Sequence, residues 1–357
     1  MATRSQCVLL LCVLTLSSGC AESVLRPGEG FVDVPGGPVW YRIVGSGDAT
    51  PVLFVHGGPG ASSCAFHELA VALSAERPVV LYDQLGCGRS GRPTDPSLWQ
   101  VDRFVRELAA VRHALHLRRV HLVGHSWGTA LATEYMVKAK PDGIASLVLA
   151  GPFLSTAHWI ADANQLRAQL PEPVQQTLTR HEQAGTTDSK EYKAATEVFY
   201  DRFLFHRQPR PKMPACEGWE VNDAIYKQMW GPSEFYATGS LLSFDVTPHL
   251  TELRLPVLFI VGRYDEARPE TVAGYHALVR GAKLEILEQS GHMAPVEEPE
   301  RYLEILREFF RSVDGRIPES ACVLSSMTTR ASASHAGNTP KGGRWISFYR
   351  DMRRAHS

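Results

Sequence analysis

Little in this sequence points to nucleic acid, a membrane span or a metal. Neither sign of charge dominates: 37 Lys and Arg stand against 38 Asp and Glu, a formal charge of −1. Without surplus cations a chain has no general affinity for a phosphate backbone. No apolar run reaches the roughly 18 residues that a membrane-spanning helix needs. The seven cysteines show no C-x-x-C or His-paired spacing, the usual signature of a zinc site. No G-x-x-x-x-G-K-S/T occurs, so no phosphate-cradling loop of that kind is expected. What is present is a 357-residue chain that is 44% hydrophobic, long enough to bury a core without staples.

The two ends differ from the middle. Residues 1–20 have the order of an export signal: Arg4, an apolar run over 7–16, then Ser17, Ser18 and Gly19. A buried N-terminal element in a cytoplasmic chain is the alternative. Cys20 after Gly19 resembles a lipoprotein acceptor, which gives a possible membrane attachment through a lipid. Beyond a linker at 21–30, Cys64, Cys87, Cys216 and Cys322 remain, and four thiols pair in three ways. Cys64 and Cys87 are expected as small buried residues. From 313 to 357 Ser, Thr, Ala and Gly take over and apolar periodicity stops, as in a disordered, mildly basic tail.

Between the ends, short β-rich runs alternate with helical patterns. Residues 31–34 and 39–44, separated by Pro35-Gly36-Gly37-Pro38, predict a hairpin. Apolar runs at 52–55, 79–82, 120–123, 146–149, 257–261 and 284–287 suit strands covered on both faces. Val101, Phe104, Val105, Leu108, Val111 and Leu115 keep helical spacing, as do Tyr302, Ile305, Leu306 and Phe309. The fold class is α/β with a mainly parallel central sheet. The stretch 152–249 breaks the alternation and predicts a helical cap inserted into a core made of 31–151 and 250–312.

Gly124-His125-Ser126-Trp127-Gly128 follows one strand and precedes a helix, the context in which G-x-S-x-G presents a nucleophilic Ser on a tight turn. A Ser hydroxyl needs a base, and the base needs a carboxylate to orient it. Asp265 follows the run 257–261 and His292 follows 284–287, in the order Ser, Asp, His that this fold class uses. His113, His116 and His249 lack such placement and are expected to be surface or structural. His56-Gly57-Gly58-Pro59-Gly60 closes the run 52–55. The N–H groups of Gly58 and Trp127 are the candidate oxyanion donors. Asp83-Gln84-Leu85-Gly86-Cys87-Gly88-Arg89-Ser90-Gly91 contains a literal G-x-G-x-x-G, but Pro93 and Pro96 stand where a phosphate-binding helix would open. No cofactor is implied.

Taken together, HGGPG at 56–60, DQLGCGRSG at 83–91, GHSWGT at 124–129, GPSEF at 231–235, GRYDE at 262–266 and SGHMAPVEEPE at 290–300 resemble the proline iminopeptidases. These are α/β-hydrolases, and the likeness includes their short tricorn-interacting type. It covers roughly 31–312. It implies an α/β-hydrolase fold and a serine aminopeptidase acting on short peptides with a free N-terminus. It also implies that Glu234 in the cap and Glu266 beside Asp265 bind the substrate amine. His125 departs from the Gly that many members carry before the nucleophile. Two other readings share the scaffold: another serine hydrolase (an amino-acid amidase, esterase or lactonase), or a non-catalytic binding protein. An epoxide hydrolase or haloalkane dehalogenase would carry Asp at position 126.

Overall fold

The structure, a computed structural model, describes residues 25–213, 216 and 221–315. The expected export signal, Cys20, Cys322 and the tail beyond Gly315 lie outside the described residues. From the N-terminus, β1 (Gly28–Val34) and β2 (Gly37–Val44) form the expected hairpin, followed by β3 (Val52–Val55), α1 (His67–Leu73) and β4 (Val79–Tyr82). Then come α2 (Val101–Ala114), β5 (Val120–His125), α3 (Trp127–Ala139) and β6 (Ile144–Ala150). The inserted segment carries α4 (Thr156–Arg167), α5 (Glu172–Ala184), α6 (Lys190–Phe199), a short π-helical turn at Tyr200–Leu204, and α7 (Asp223–Met229). The chain closes with β7 (Val257–Gly262), α8 (Pro269–Leu278), β8 (Lys283–Leu287), α9 (Ala294–Glu297) and α10 (Pro299–Asp314).

The eight strands form one sheet in the order β1-β2-β4-β3-β5-β6-β7-β8. Only the β1–β2 and β2–β4 pairs are antiparallel; the other five pairs are parallel. Side chains alternate across each strand. Leu53, Val55, Val80 and Tyr82 enter one core with residues of α2, α3 and α8. Val52, Phe54, Val79 and Leu81 enter the other with α1 and α10. Both faces are covered, which is why these strands are apolar throughout.

Two boundaries differ from expectation. β1 begins at Gly28, so the linker is shorter than 21–30. α10 continues through Asp314, so positions 313 and 314 belong to the core and not to the tail. Val313 completes the buried stripe of Tyr302, Ile305, Leu306, Phe309 and Phe310. Asp314 Oδ2 meets Arg77 Nη1 at 2.8 Å, and its Oδ1 lies 3.3 Å from His121 Nε2. Burial works to raise the Asp314 carboxyl, but these two partners hold it well below the usual carboxylate range. Tertiary charge pairing keeps the last turn helical where apolar periodicity had run out.

Cys64 is buried, as expected for a small buried residue whose pairing the sequence left open. It is disulfide-bonded to Cys216 with a Cα–Cα separation of 6.0 Å, tying the cap to the loop after β3. Cys87 is free and buried, as expected. Asn222 adds to the same tie: its N–H donates to the Gly60 carbonyl at 2.8 Å and its side-chain amide to the Gly86 carbonyl at 2.9 Å. The cap also has an apolar cluster of its own, including Leu166, Leu178, Tyr192, Phe199 and Phe235. Among the described residues no helix is long and apolar enough to cross a membrane.

Candidate active site

The turn from β5 into α3 holds Ser126 at φ 53° and ψ −126°. A non-glycine residue at positive φ is costly and persists only where its surroundings enforce it. The surroundings here are close. A Cβ on Gly124 would stand 2.5 Å from the Gly128 carbonyl oxygen, and one on Gly128 would collide with the Val55 carbonyl. The Ser126 N–H is fixed to the Ala150 carbonyl at 3.0 Å. Ser126 thus stands at the N-terminal end of α3, against the ends of β3 and β6.

His292 and Asp265 are brought together at the ends of β7 and β8. The imidazole Nδ1 lies 2.8 Å from Asp265 Oδ1, and both residues are buried. Asp265 Oδ1 also accepts the Ala267 N–H at 2.8 Å, which fixes the carboxylate. Gly151, the residue after Ala150, packs against the ring: a Cβ there would stand 2.7 Å from His292 Cε1. Ser126 and His292 therefore flank the same short segment of backbone. His292 Nε2 is buried and makes no hydrogen bond, so the Ser126 hydroxyl is not bonded to it. Catalytic hydrogen bonds commonly tighten only when substrate enters. Burial lowers the His292 pKa, but the charge and hydrogen bond of Asp265, with Glu234 and Glu297, outweigh it and leave the pKa above the ordinary value of 6.5.

His125, the departure before the nucleophile, is turned to structural use. Its Nε2–H donates to the His292 backbone carbonyl at 3.0 Å, and the two rings lie 4.8 Å apart. Burial, reinforced by His292, pushes its pKa down to about 4, so it stays neutral and remains a donor.

Gly58, Ser126, Trp127 and Glu234 line one small cavity with Pro59 and the rings of Phe153, Trp159 and Trp230. Gly58 sits at φ +113°, and a Cβ there would meet the Gly60 nitrogen at 2.6 Å. Trp127 is the first residue of α3, where backbone N–H groups have no partner within the helix. The Asp83-Gln84 pair braces this side. Gln84 accepts the Trp127 indole N–H at 2.9 Å, while its own amide donates to the His56 carbonyl at 2.9 Å. Asp83 Oδ1 accepts both the N–H and the hydroxyl of Ser63 at 2.8 Å. The G-x-G-x-x-G stretch is a closed turn, with the Gly86 N–H on the Gly91 carbonyl at 2.8 Å, and no helix opens at Gly91.

Glu266 is 1% exposed, yet neither of its carboxylate oxygens has a hydrogen-bond partner. Its Oε1 lies 4.0 Å from His292 Nε2. Burial, then the charges of Glu234 and Asp265, push its pKa well above the ordinary carboxylate value. Glu234 is half-buried, and burial raises it too, while Tyr226 and His292 work the other way. The backbone of the Glu234 segment is held by two indoles: Trp159 donates to the Glu234 carbonyl and Trp230 to the Ser233 carbonyl, each at 2.9 Å. The rings of Phe153, Trp159 and Trp230 meet edge to face, and Trp159 also faces His292 at 5.6 Å. Nothing in the spacing of the sequence marks these aromatics; cap residues reach the site only through tertiary packing. His113 and His116 are exposed on and just after α2, and His249 pairs with Glu252 away from the site. Among the described residues no group of three or more His, Cys, Asp and Glu side chains is placed to hold a metal ion.

A tight Ser turn after a central strand, with a His–Asp pair at the ends of the next strands, defines an α/β-hydrolase. The family described as alpha/beta hydrolase fold matches residues 50–299. The proline iminopeptidase of Heyndrickxia coagulans is 46% identical over 288 residues, 80% of this chain and 99% of the relative. That of Clostridium botulinum is 32% identical over 290 residues, again 80% of this chain and 99% of the relative. Among solved structures, VinJ aligns with a TM-score of 0.76 at 35% identity, covering 81% of this chain and 100% of VinJ. The proline iminopeptidase of Mycobacterium smegmatis aligns with a TM-score of 0.74 at 30% identity, covering 82% of this chain and 100% of that one. The chain belongs to the proline iminopeptidase family of α/β-hydrolases.

Proposed function

We propose that the protein is a serine aminopeptidase that releases an N-terminal residue, proline or another small or hydrophobic residue, from short peptides. Ser126 attacks the carbonyl of the first residue while His292 takes its proton. Asp265 orients the imidazole and stabilises it once charged. The N–H groups of Gly58 and Trp127 receive the developing oxyanion. His292 then gives its proton to the leaving amine, and water hydrolyses the acyl-enzyme. The observation that carries the aminopeptidase reading is Glu266, a buried carboxylate with no partner, beside Glu234 and the relay. Such a group is costly unless a cation supplies the missing hydrogen bonds. A protonated α-amine, with two N–H donors in proline and three in a primary amine, fits that need and would place the first peptide bond at Ser126.

Prolyl and alanyl naphthylamides should be cleaved, and their N-acetylated forms should not. Glu234→Gln should lower kcat/KM for the free-amine substrates by on the order of 10–100-fold, the range for losing a hydrogen bond to a charged group, and leave a short-chain ester little changed. Equal turnover of free and acylated substrates would leave a general amidase or esterase in its place.

We also propose export, with a lipid on Cys20. The Cys64–Cys216 bond supports an oxidising compartment, where disulfides persist. Labelled palmitate should enter the wild-type protein in a bacterial host and not Cys20→Ser; an unlabelled protein in the soluble cytoplasmic fraction would overturn this.

A further inference from the structure

Glu297 is fully buried and has no part in the relay described above. Its Oε2 accepts the N–H of Gly291, the residue before His292, at 2.7 Å. Its Oε1 accepts the N–H of Arg207 at 2.6 Å, in the cap segment just beyond the turn Tyr200–Leu204. The Arg207 guanidinium returns to the Glu297 carbonyl oxygen. The same turn grips the His292 loop directly, with His292 N–H on the Phe203 carbonyl at 2.8 Å and Met293 N–H on the Leu204 carbonyl at 3.0 Å. A Cβ on Gly291 would stand 2.6 Å from the Phe203 carbonyl oxygen, so the approach requires glycine there. Tyr200 opens the turn close to the amine-binding carboxylates: burial first, then the charges of Glu234 and Glu266, raise its phenol well above the ordinary value.

We propose that Glu297 is a positioning residue for the general base: its carboxylate ties the His292 loop to the cap, so that one element, Tyr200–Leu204, registers both the base and the amine-binding pair. A short π-helical turn at such a junction fits, since these turns recur at functional sites. Charge contributes alongside the bonds. The groups facing His292 are Asp265, Glu266, Glu234, Glu297 and His125. Those facing Glu297 are Arg207, His206 and the His292 loop. Burial raises the Glu297 carboxyl, and the surrounding backbone N–H groups pull it back toward the charged form. A neutral residue at 297 loosens the loop and removes one of the charges that hold His292 up.

The test compares wild type with Glu297→Gln, Glu297→Asp and Arg207→Ala on prolyl naphthylamide and on a short-chain ester. The His292 ring proton is followed by NMR against pH, and rates are expressed per folded molecule. Glu297→Gln should lower kcat by on the order of 10–100-fold on both substrates, the scale of a small misplacement of a reacting group, with KM nearly unchanged. Its acid limb and its His292 titration should both move to lower pH. Glu297→Asp keeps the charge, so its titration should stay near wild type while kcat falls. Arg207→Ala leaves the carboxylate in place on an exposed residue and should lower kcat a few-fold with the titration unmoved. A Glu297→Gln protein that loses only thermal stability, with kcat and titration as in wild type, overturns the proposal. Should that variant fail to fold, wild-type kcat in Glu297→Asp, whose shorter side chain cannot span both backbone N–H groups, does the same. The inference rests on His292 as the base. Activity retained in Ser126→Ala would remove that reading itself, whereas an inactive Ser126→Ala beside a wild-type-like Glu297→Gln would remove only the role of Glu297.

Discussion

Ser126→Ala should lower kcat by about 10⁶, His292→Ala by a comparable factor, and the double variant no further. The saturation follows from the chemistry. Without the base the hydroxyl is a weak nucleophile, and without the hydroxyl the base has no proton to take, so the second loss finds nothing left to remove. What survives comes from the donors at Gly58 and Trp127 and from binding. Asp265→Asn should cost on the order of 10⁴, because the amide no longer holds the imidazole in the tautomer that accepts a proton at Nε2. It should also move the acid limb of kcat/KM. His292 must be neutral to act, and the carboxylate beside it raises its pKa above 6.5, so wild-type activity should rise with pH through a midpoint above that value. Removing the Asp265 charge should shift the midpoint down. Single-turnover rates with an ester, which has no titrating amine, isolate this limb. Multiplicative losses in the double variant would show that residues 126 and 292 do not act as one relay.

The places of Ser126, Asp265 and His292 were legible because each lies at or just beyond the end of a strand, and strands buried on both faces announce themselves as apolar runs. β3 and β4 match their runs residue for residue, and the turns after β5, β7 and β8 then place Ser126, Asp265 and His292. The proposed amine-binding role of Glu234 and Glu266 was readable only through resemblance. Glu234 lies in the cap, where no periodicity relates a position to the sheet it covers. The same limit applies to the rings of Phe153, Trp159 and Trp230 and to Glu297, whose roles depend on packing between segments far apart in sequence. Cys64 and Cys216 are separated by 152 positions, and such pairing is set by the final fold, beyond the reach of spacing. The last turn of α10 was missed for a related reason: Asp314 is held by Arg77 and His121, partners more than a hundred residues away.

Glu266→Gln should lower kcat/KM for free-amine substrates by about 100-fold, as expected for deleting one charged partner of a buried pair, and at the same time stabilise the protein. The two effects have one origin. In the free enzyme the Glu266 carboxyl is buried without a partner and its pKa is raised by burial and by Glu234 and Asp265. A carboxyl whose folded pKa exceeds its unfolded value of about 4.3 binds protons more tightly in the folded state. Its favourable contribution is therefore complete below pH 4.3 and lost as pH rises toward the folded pKa. A neutral amide at 266 escapes that loss. The gain should be near zero at pH 4 and grow to about 1–3 kcal/mol at neutral pH, the scale of one unsatisfied buried polar group. In a chain of this size, at about 2.1 cal/mol/K of unfolding entropy per residue, that amounts to roughly 1–5 °C in Tm. An amine ligand such as prolinamide should raise the wild-type Tm more than that of the variant, because its ammonium supplies the partner that Glu266 lacks. Thermal melts at pH 4, 6 and 8, with and without the ligand, read both terms. A variant that melts below wild type at pH 8 would mean that Glu266 already has its partner in the free enzyme, and the cationic pocket would lose its physical basis.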